Sequence, residues 1–491
     1  MKKVSILILF GFLTNNILFG QINQKVLTID SMINIYTHYY DFCGSVLIEK
    51  NGVIILSKGY GYANYGFDIR NNDLTKFQIC SLGKELTQLL IYGLVKEGKV
   101  NLEDKLYKYL PEIGEDIGNR VKLKHLVIHQ SGLPEHFFDP TNRKTKIDNI
   151  KSIKEEKLLF EPGTKENYCN FNYYILDIII ERIIGREPSL ENQEKIYKPL
   201  GMSSTKVDNA ETMLKNNAIP HYVNQINQGE VFHHVTPKSN HGALVMNVYD
   251  LNKWIKAWHF DKFNIGTANY ENENTKIYGK AYGSFSLGWE ANGKKRRYAE
   301  GDGMGEGFRS RYIFFPDDSL TIILLNNSYY FGIDYSGMPL FDNIVIKSAE
   351  IMLELNYTFP KLPVGQFLID KIKKGYDVSK VKDEYLKLKN DKNKYRCDVK
   401  QLNRVGYYYM DNNNLKDAFE IFTLNLSEYP ESWIANDGMG ECYLRIGNRE
   451  KAIECLKISL DKNPNKYREE RKMNDMRRNN LEILNIPLDK N

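Results

Sequence analysis

The chain has 491 residues, too many for one ordinary domain, and its 42% hydrophobic and 26% charged content is that of a polypeptide that buries cores. Sixty-seven basic against 62 acidic residues leave a net charge of +5, too even a balance to point to nucleic acid or to strongly charged substrates. The six cysteines form no Cys-x-x-Cys pair and have no histidines at zinc-ligand spacing, so a disulfide framework, a metal site and a cofactor are not expected.

Met1-Lys2-Lys3 is a short basic start, Val4–Leu13 is apolar, and Gly20 precedes Gln21 as a small residue at a plausible cleavage point. Residues 1–20 therefore read as a signal peptide, with a buried N-terminal helix as the alternative. The apolar run is too short for a transmembrane anchor, and the first cysteine, Cys43, is too far on for a lipid anchor. The expected location is periplasmic or secreted. Val46-Leu47-Ile48 and Val53-Ile54-Ile55-Leu56 flank Asn51-Gly52, a hairpin signal because that pair tolerates positive φ. From about 84 to 270 the apolar spacing is mainly helical, as in Leu86, Leu89, Leu90, Leu94 and in Ile175, Ile178, Ile179, Ile183. Strand patterning returns at 310–327, around Pro316-Asp317-Asp318. The reading is one α/β unit over 21–356, its terminal strands paired in an antiparallel sheet flanked by helices, with an all-helical subdomain between.

Pro360 and Pro363 punctuate a linker over 357–365, and residues 366–491 read as all-helical. There Gly406, Tyr409, Ala418 and Pro430 recur 34 residues later as Gly440, Tyr443, Ala452 and Pro464, with Leu402, Val405 and Phe422 matched by Asn436, Met439 and Leu456. The period and the small residues resemble tetratricopeptide repeats, near 399–432 and 433–466. The stretches 366–390 and 466–485 are expected to cap them, and the basic run Lys466–Arg478 reads as a solvated face. Such repeats offer a surface for a protein partner, or for packing and dimerisation.

Ser-x-x-Lys occurs four times, at Ser81/Lys84, Ser203/Lys206, Ser379/Lys382 and Ser459/Lys462, so the motif alone selects nothing. Only Ser81 follows a strand-like stretch, Phe77–Cys80, and opens a long helix. A helix N-terminus favours a developing alkoxide. A spacing of three puts Lys84 on the same face, where a desolvated amine can take the serine proton. The alternative is a capping serine beside a solvated lysine.

The segment TKFQICSLGKELTQLLIYGLVKEGKVNLEDKLYKYLPE, then LKHLVIHQSGLPEH, closely resembles the nucleophile region of the serine β-lactamase-related superfamily, in the branch of class C β-lactamases, D-alanyl-D-alanine carboxypeptidases and related esterases. GSVLIEKNGVIILSKGYGYAN, FEPGTKENYCNFNYYILDIIIERIIG, KPLGMSST and FFPDDSLTIILLNNS extend the resemblance over roughly 30–350 in the family's order. It implies Ser81 as nucleophile, Lys84 as its companion, Tyr168 as a proton-transfer phenol and Asn170 as a contact to the substrate amide. The family's third element, Lys or His, then x, then Gly, matches Gly301-Asp302-Gly303, so its cationic side chain is missing. The resemblance still implies an oxyanion hole from the N–H groups of Ser81 and Met304, with Gly303 beside it. Of Arg309 and Arg311, Arg309 is a candidate for binding a substrate carboxylate, with a solvent-facing strand residue as the alternative, and His129 reads as structural. The implied activity is hydrolysis of a small ester, amide or D-amino-acid peptide through acyl-Ser81, with efficient β-lactamase action least expected. The alternative is a catalytically silent penicillin-binding-like module that uses the repeats to bind a partner.

Overall fold

The computed structural model describes residues 2–135, 145–154, 156–208, 214–223, 229–231, 243–265, 285–291, 293–305, 307–330 and 337–462, of which 2–20, 222–223, 229–231, 285–288, 290–291, 329–330 and 337–340 are described as backbone only. Helix α1 (Lys2–Tyr40) leads into the hairpin β1 (Gly44–Lys50) and β2 (Val53–Tyr60). Its turn holds Asn51 at φ 53° and Gly52 at φ 77°, the positive values that a two-residue type I′ turn requires. The chain returns to this sheet through β3 (Phe285–Ala291), β4 (Lys294–Met304), β5 (Arg309–Phe315) and β6 (Leu320–Asn326). The order is β3-β4-β5-β6-β1-β2, antiparallel throughout. Strand β6 pairs with β1 from Gly44↔Asn326 to Lys50↔Leu320, so the terminal strands do meet, as the alternation predicted.

Every residue of β6 is buried, because it has strand neighbours on both sides and a core on each face. Ile323 and Leu325 face one core with Leu82, Leu86 and Trp254. Ile322 and Leu324 face the other with Ile29, Met32, Ile33, Ile344 and Val345. The first core holds the helices that carry the site: α2 (Lys84–Lys96), α3 (Asn170–Ile184) and α4 (Val248–His259). The second is closed by α1 and α5 (Gly337–Met352). Helix α1 runs without a break past Gly20, and among the described residues no helix is long and apolar enough to cross a membrane. All six cysteines are unpaired thiols, and all but Cys397 are buried.

The C-terminal region is helical: α6 (Val364–Lys373), α7 (Val378–Leu388), α8 (Val399–Asp411), α9 (Leu415–Glu428), α10 (Trp433–Arg445) and α11 (Arg449–Lys462). Helices α8 and α10 start 34 residues apart, as do α9 and α11. A Cβ at Gly406 would lie 2.6 Å from the Phe422 ring, and one at Gly440 would lie 2.9 Å from Leu456. The same close pair thus recurs one period on. Helix α6 starts inside the stretch expected to be a linker, and Leu362 N–H there donates to Lys394 O at 2.9 Å. His38 meets Asp370 at 2.7 Å and Arg404 meets Asp41 at 3.4 Å, which ties the helical array to the end of α1. The expected cap at 466–485 and the basic run within it lie outside the described residues.

Candidate active site

Phe77–Gln78 forms a short strand against Leu244–Met246, and the chain then turns sharply. Cys80 has φ 51°, a left-handed conformation that costs a non-glycine residue about 1–2 kcal/mol. Cys80–Gly83 is a single 3-10 turn, and α2 proper begins at Lys84. Ser81 therefore precedes the α-helix by three residues. In 3-10 geometry residues three apart lie one above the other, so Lys84 stacks directly over Ser81. Lys84 is only 1% exposed, and its Nζ donates to Ser81 Oγ at 3.0 Å and to Asn170 Oδ1 at 2.8 Å.

Asn170 opens α3, and the Glu135 carboxylate accepts its backbone N–H at 2.7 Å, an acid at the positive end of a helix. Tyr168, two residues earlier, brings its hydroxyl to 2.8 Å from Ser81 Oγ and 3.2 Å from Asn170 Oδ1. These contacts set the hydrogen-bond directions. Asn170 Oδ1 accepts from both Lys84 and Tyr168, so its Nδ2 is turned away from them. With Lys84 donating to Ser81 and Tyr168 donating to Asn170, the serine O–H is left to donate to the tyrosine oxygen. His129 backs the Tyr168 ring at 4.5 Å, and its Nδ1 accepts Cys169 N–H at 3.2 Å. Burial, and then the neighbouring Lys84 charge, push the His129 pKa down to about 4, so it stacks there as a neutral ring.

Strand β4 forms the opposing wall. A Cβ at Gly303 would lie 2.2 Å from Ile79 O and 2.9 Å from Ser81 N, so only glycine lets the strand lie against the Ser81 turn. Met304 follows at the strand end with its side chain exposed. Arg309 stands apart from this cluster. Alternation along β5 sends Ser310 and Tyr312 toward the Ser81 turn and sends Arg309 and Arg311 to the opposite face of the sheet. There Arg309 meets Asp342 at 3.1 Å and its guanidinium lies 4.7 Å from the Phe341 ring centre. The expectation that Arg309 binds a substrate carboxylate beside Ser81 is corrected by this placement: an even number of residues along the strand was needed, and the spacing from Ser310 is odd.

Four buried residues that the sequence reading passed over support the site. Ser310 Oγ donates to Ile79 O at 2.7 Å. Tyr312 OH donates to Glu85 Oε1 at 2.9 Å, and Trp254 Nε1 donates to the other Glu85 oxygen at 2.7 Å. Burial pushes the Glu85 pKa up to about 7. The spacing Ser310-x-Tyr312 on a strand was the available signal, since it puts both side chains on one face; Glu85 and Trp254 had none. No group of three or more His, Cys, Asp or Glu placed to hold a metal occurs among the described residues.

Comparison with known proteins bears on the family and the fold. The chain is 26% identical to Protein flp of Staphylococcus aureus over 298 residues, covering 58% of this chain and 59% of that protein. It is 32% identical over 182 residues to the putative penicillin-binding protein PbpX of Bacillus subtilis, covering 37% of this chain and 46% of that one. It thus spans well under two thirds of these relatives' lengths. In fold it matches the octameric penicillin-binding protein homologue of Pyrococcus abyssi (TM-score 0.56, 22% identity, 67% of this chain and 78% of that one). It also matches a class C β-lactamase (TM-score 0.54, 18% identity, 68% and 99%). The family model described as Beta-lactamase covers residues 37–336, more than half the chain and the whole of the Ser81 cluster, and this chain belongs to that family.

Proposed function

We propose that Ser81 is the nucleophile of a serine hydrolase that takes an acyl group from a small ester, an amide or a D-amino-acid peptide. One observation carries the reading: Ser81 Oγ lies 3.0 Å from a buried lysine amine and 2.8 Å from a phenol, both able to move its proton. As Oγ bonds to the carbonyl carbon, its proton passes to the Lys84–Tyr168 pair. The pair returns a proton to the departing oxygen or nitrogen as that bond breaks. Water then reverses the sequence and frees Ser81. The carbonyl oxygen would be held by Ser81 N–H and Met304 N–H, donors worth roughly 3 kcal/mol each in acyl transfer. Tyr168 is 44% exposed, which suits the member of the pair that meets the leaving group, and Asn170 Nδ2 is the donor offered to the substrate.

The same reading takes residues 1–20 as a signal peptide for export and the helices of 399–466 as tetratricopeptide repeats, supported by their 34-residue offset. A second reading, a silent penicillin-binding-like module, draws on the absence of a side chain at Gly301. One experiment separates them. A fluorophosphonate and a penicillin probe are applied to the wild type and to Ser81→Ala, and the adduct is mapped by mass spectrometry. Hydrolysis requires an adduct on Ser81 that Ser81→Ala lacks, together with turnover of a p-nitrophenyl ester. Labelling of Ser81→Ala as strong as wild type would remove Ser81 from the mechanism.

A further inference from the structure

The sheet grips the nucleophile's turn at two points. Ser310 and Tyr312 lie two apart on β5 and so face the same side. Ser310 Oγ donates to Ile79 O, two residues before Ser81; Tyr312 OH donates to Glu85 Oε1, one residue after Lys84. Both residues are fully buried. The second tie is itself anchored, because Trp254 Nε1 holds the other Glu85 oxygen at 2.7 Å and His259 Nε2 lies 3.0 Å from Tyr312 OH.

The Tyr312 ring also occupies the space where a side chain at position 301 would begin. A Cβ on Gly301 would sit 2.4 Å from Tyr312 Cε1 and 2.7 Å from Leu82 Cδ2. Leu82 lies between Ser81 and Lys84, so ring, leucine and glycine form one contact. Any residue larger than glycine at 301 must displace both the Tyr312 ring, which two hydrogen bonds hold, and the end of the Leu82 side chain.

We propose that Tyr312, with Ser310, is a positioning residue for the Ser81 reaction: the pair clamps the Ile79–Glu85 segment on both sides of Ser81 and Lys84 and so fixes the nucleophile against β4 at Gly303. Tyr312 takes over the space at Gly301 and supplies from β5 a hold that no side chain of β4 can give. This inference rests on Ser81 being the nucleophile. Its consequence is that the clamp acts on the chemical step and leaves substrate affinity nearly unchanged.

The test measures Ser81 labelling by a fluorophosphonate, and kcat and KM for a p-nitrophenyl ester, in the wild type, Tyr312→Phe, Ser310→Ala and the pair Gly301→Ala and Gly301→Ala/Tyr312→Val. Tyr312→Phe keeps the ring and loses only the tie. It should fold, and should lower both the labelling rate and kcat at least tenfold with KM within threefold. Gly301→Ala should lower the melting temperature and the labelling, and adding Tyr312→Val should not recover the labelling. Labelling and kcat of Tyr312→Phe and Ser310→Ala equal to wild type would overturn the proposal. So would recovery of full activity together with stability in Gly301→Ala/Tyr312→Val, which would make Tyr312 a space-filler only. An unlabelled wild type would instead overturn the nucleophile assignment, and this proposal with it.

Discussion

Lys84 Nζ donates to Asn170 Oδ1 across 2.8 Å, although 86 positions separate the two residues in the chain. That bond joins α2 to α3 at the same Asn170 oxygen that accepts from Tyr168 OH. Asn170→Ala would leave the buried Lys84 amine short of an acceptor, a loss of about 1–3 kcal/mol or roughly 5- to 150-fold in rate. Single-turnover acylation by a chromogenic ester should show that drop, and a rate within threefold of wild type would refute the link. Lys84→Ala should lose roughly 10²–10⁴-fold.

Gly303→Ala places a methyl 2.2 Å from Ile79 O, and that contact is backbone, which cannot swing aside. The strand must back away from Ser81. A cost of about 1–3 kcal/mol is expected, as for other overpacked sites, with labelling of Ser81 nearly abolished. Melting curves and probe labelling decide it; an active, equally stable variant would mean that β4 does not form this wall.

Glu85 ties stability to pH. Its folded pKa, raised by burial to about 7 from 4.5, means that the folded state keeps a proton that the unfolded chain releases above 4.5. Stability should therefore be highest below pH 4.5 as far as this group is concerned, and should fall as pH rises to 7, by about 3 kcal/mol. Glu85→Gln should flatten that slope in urea denaturation at pH 5, 6, 7 and 8. An unchanged slope would show that Glu85 is not the group responsible.

Histidines act in the opposite direction. His129 and His221 are both held neutral by burial, their pKa values lowered to about 4 from 6.5. The unfolded chain takes up protons below 6.5 that the folded state refuses, so stability present above 6.5 is lost as pH falls toward 4, by about 3 kcal/mol for each group. His129→Gln keeps an acceptor for Cys169 N–H and should shallow the acid limb between pH 6 and 4.5. An acid limb as steep as that of wild type would exclude His129 as a contributor.

In the helical array, Gly406→Val would drive a side chain into the Phe422 ring, now 2.6 Å from the Cβ position. Helices α8 and α9 should loosen, with a cost of about 1–3 kcal/mol. Limited proteolysis should then cut within 399–462 while Ser81 labelling stays at the wild-type rate. Loss of labelling in step with that cutting would show that the array supports the site.

Much of this was legible in the residues themselves. Asn51-Gly52 determined the hairpin because few pairs accept positive φ twice. The 34-residue recurrence of Gly406 and Ala418 located the paired helices, because close packing admits only small side chains there. Ser81 and Lys84 came together because three residues of helix make one turn, a purely local rule. The four-residue motif alone did not choose between Ser81/Lys84 and three other Ser-x-x-Lys pairs; the strand-then-helix setting and the family resemblance pointed to Ser81, and only the tertiary structure shows Lys84 buried between Ser81 and Asn170. Arg309 was misplaced for the same reason. Its charge is written in the sequence, whereas the face of the sheet it occupies follows from which residues of β5 are drawn into each core. Glu85 gave no signal at all, and Tyr312 only its alternation with Ser310, since a tyrosine can hold a turn only when an acidic side chain 227 positions away is buried beside it. The sequence by itself determined turns, helices and the nucleophile's neighbourhood, where the forces act within a few residues. The wall at Gly303 and the grip on Ser81 were decided by long-range burial, which no local pattern encodes.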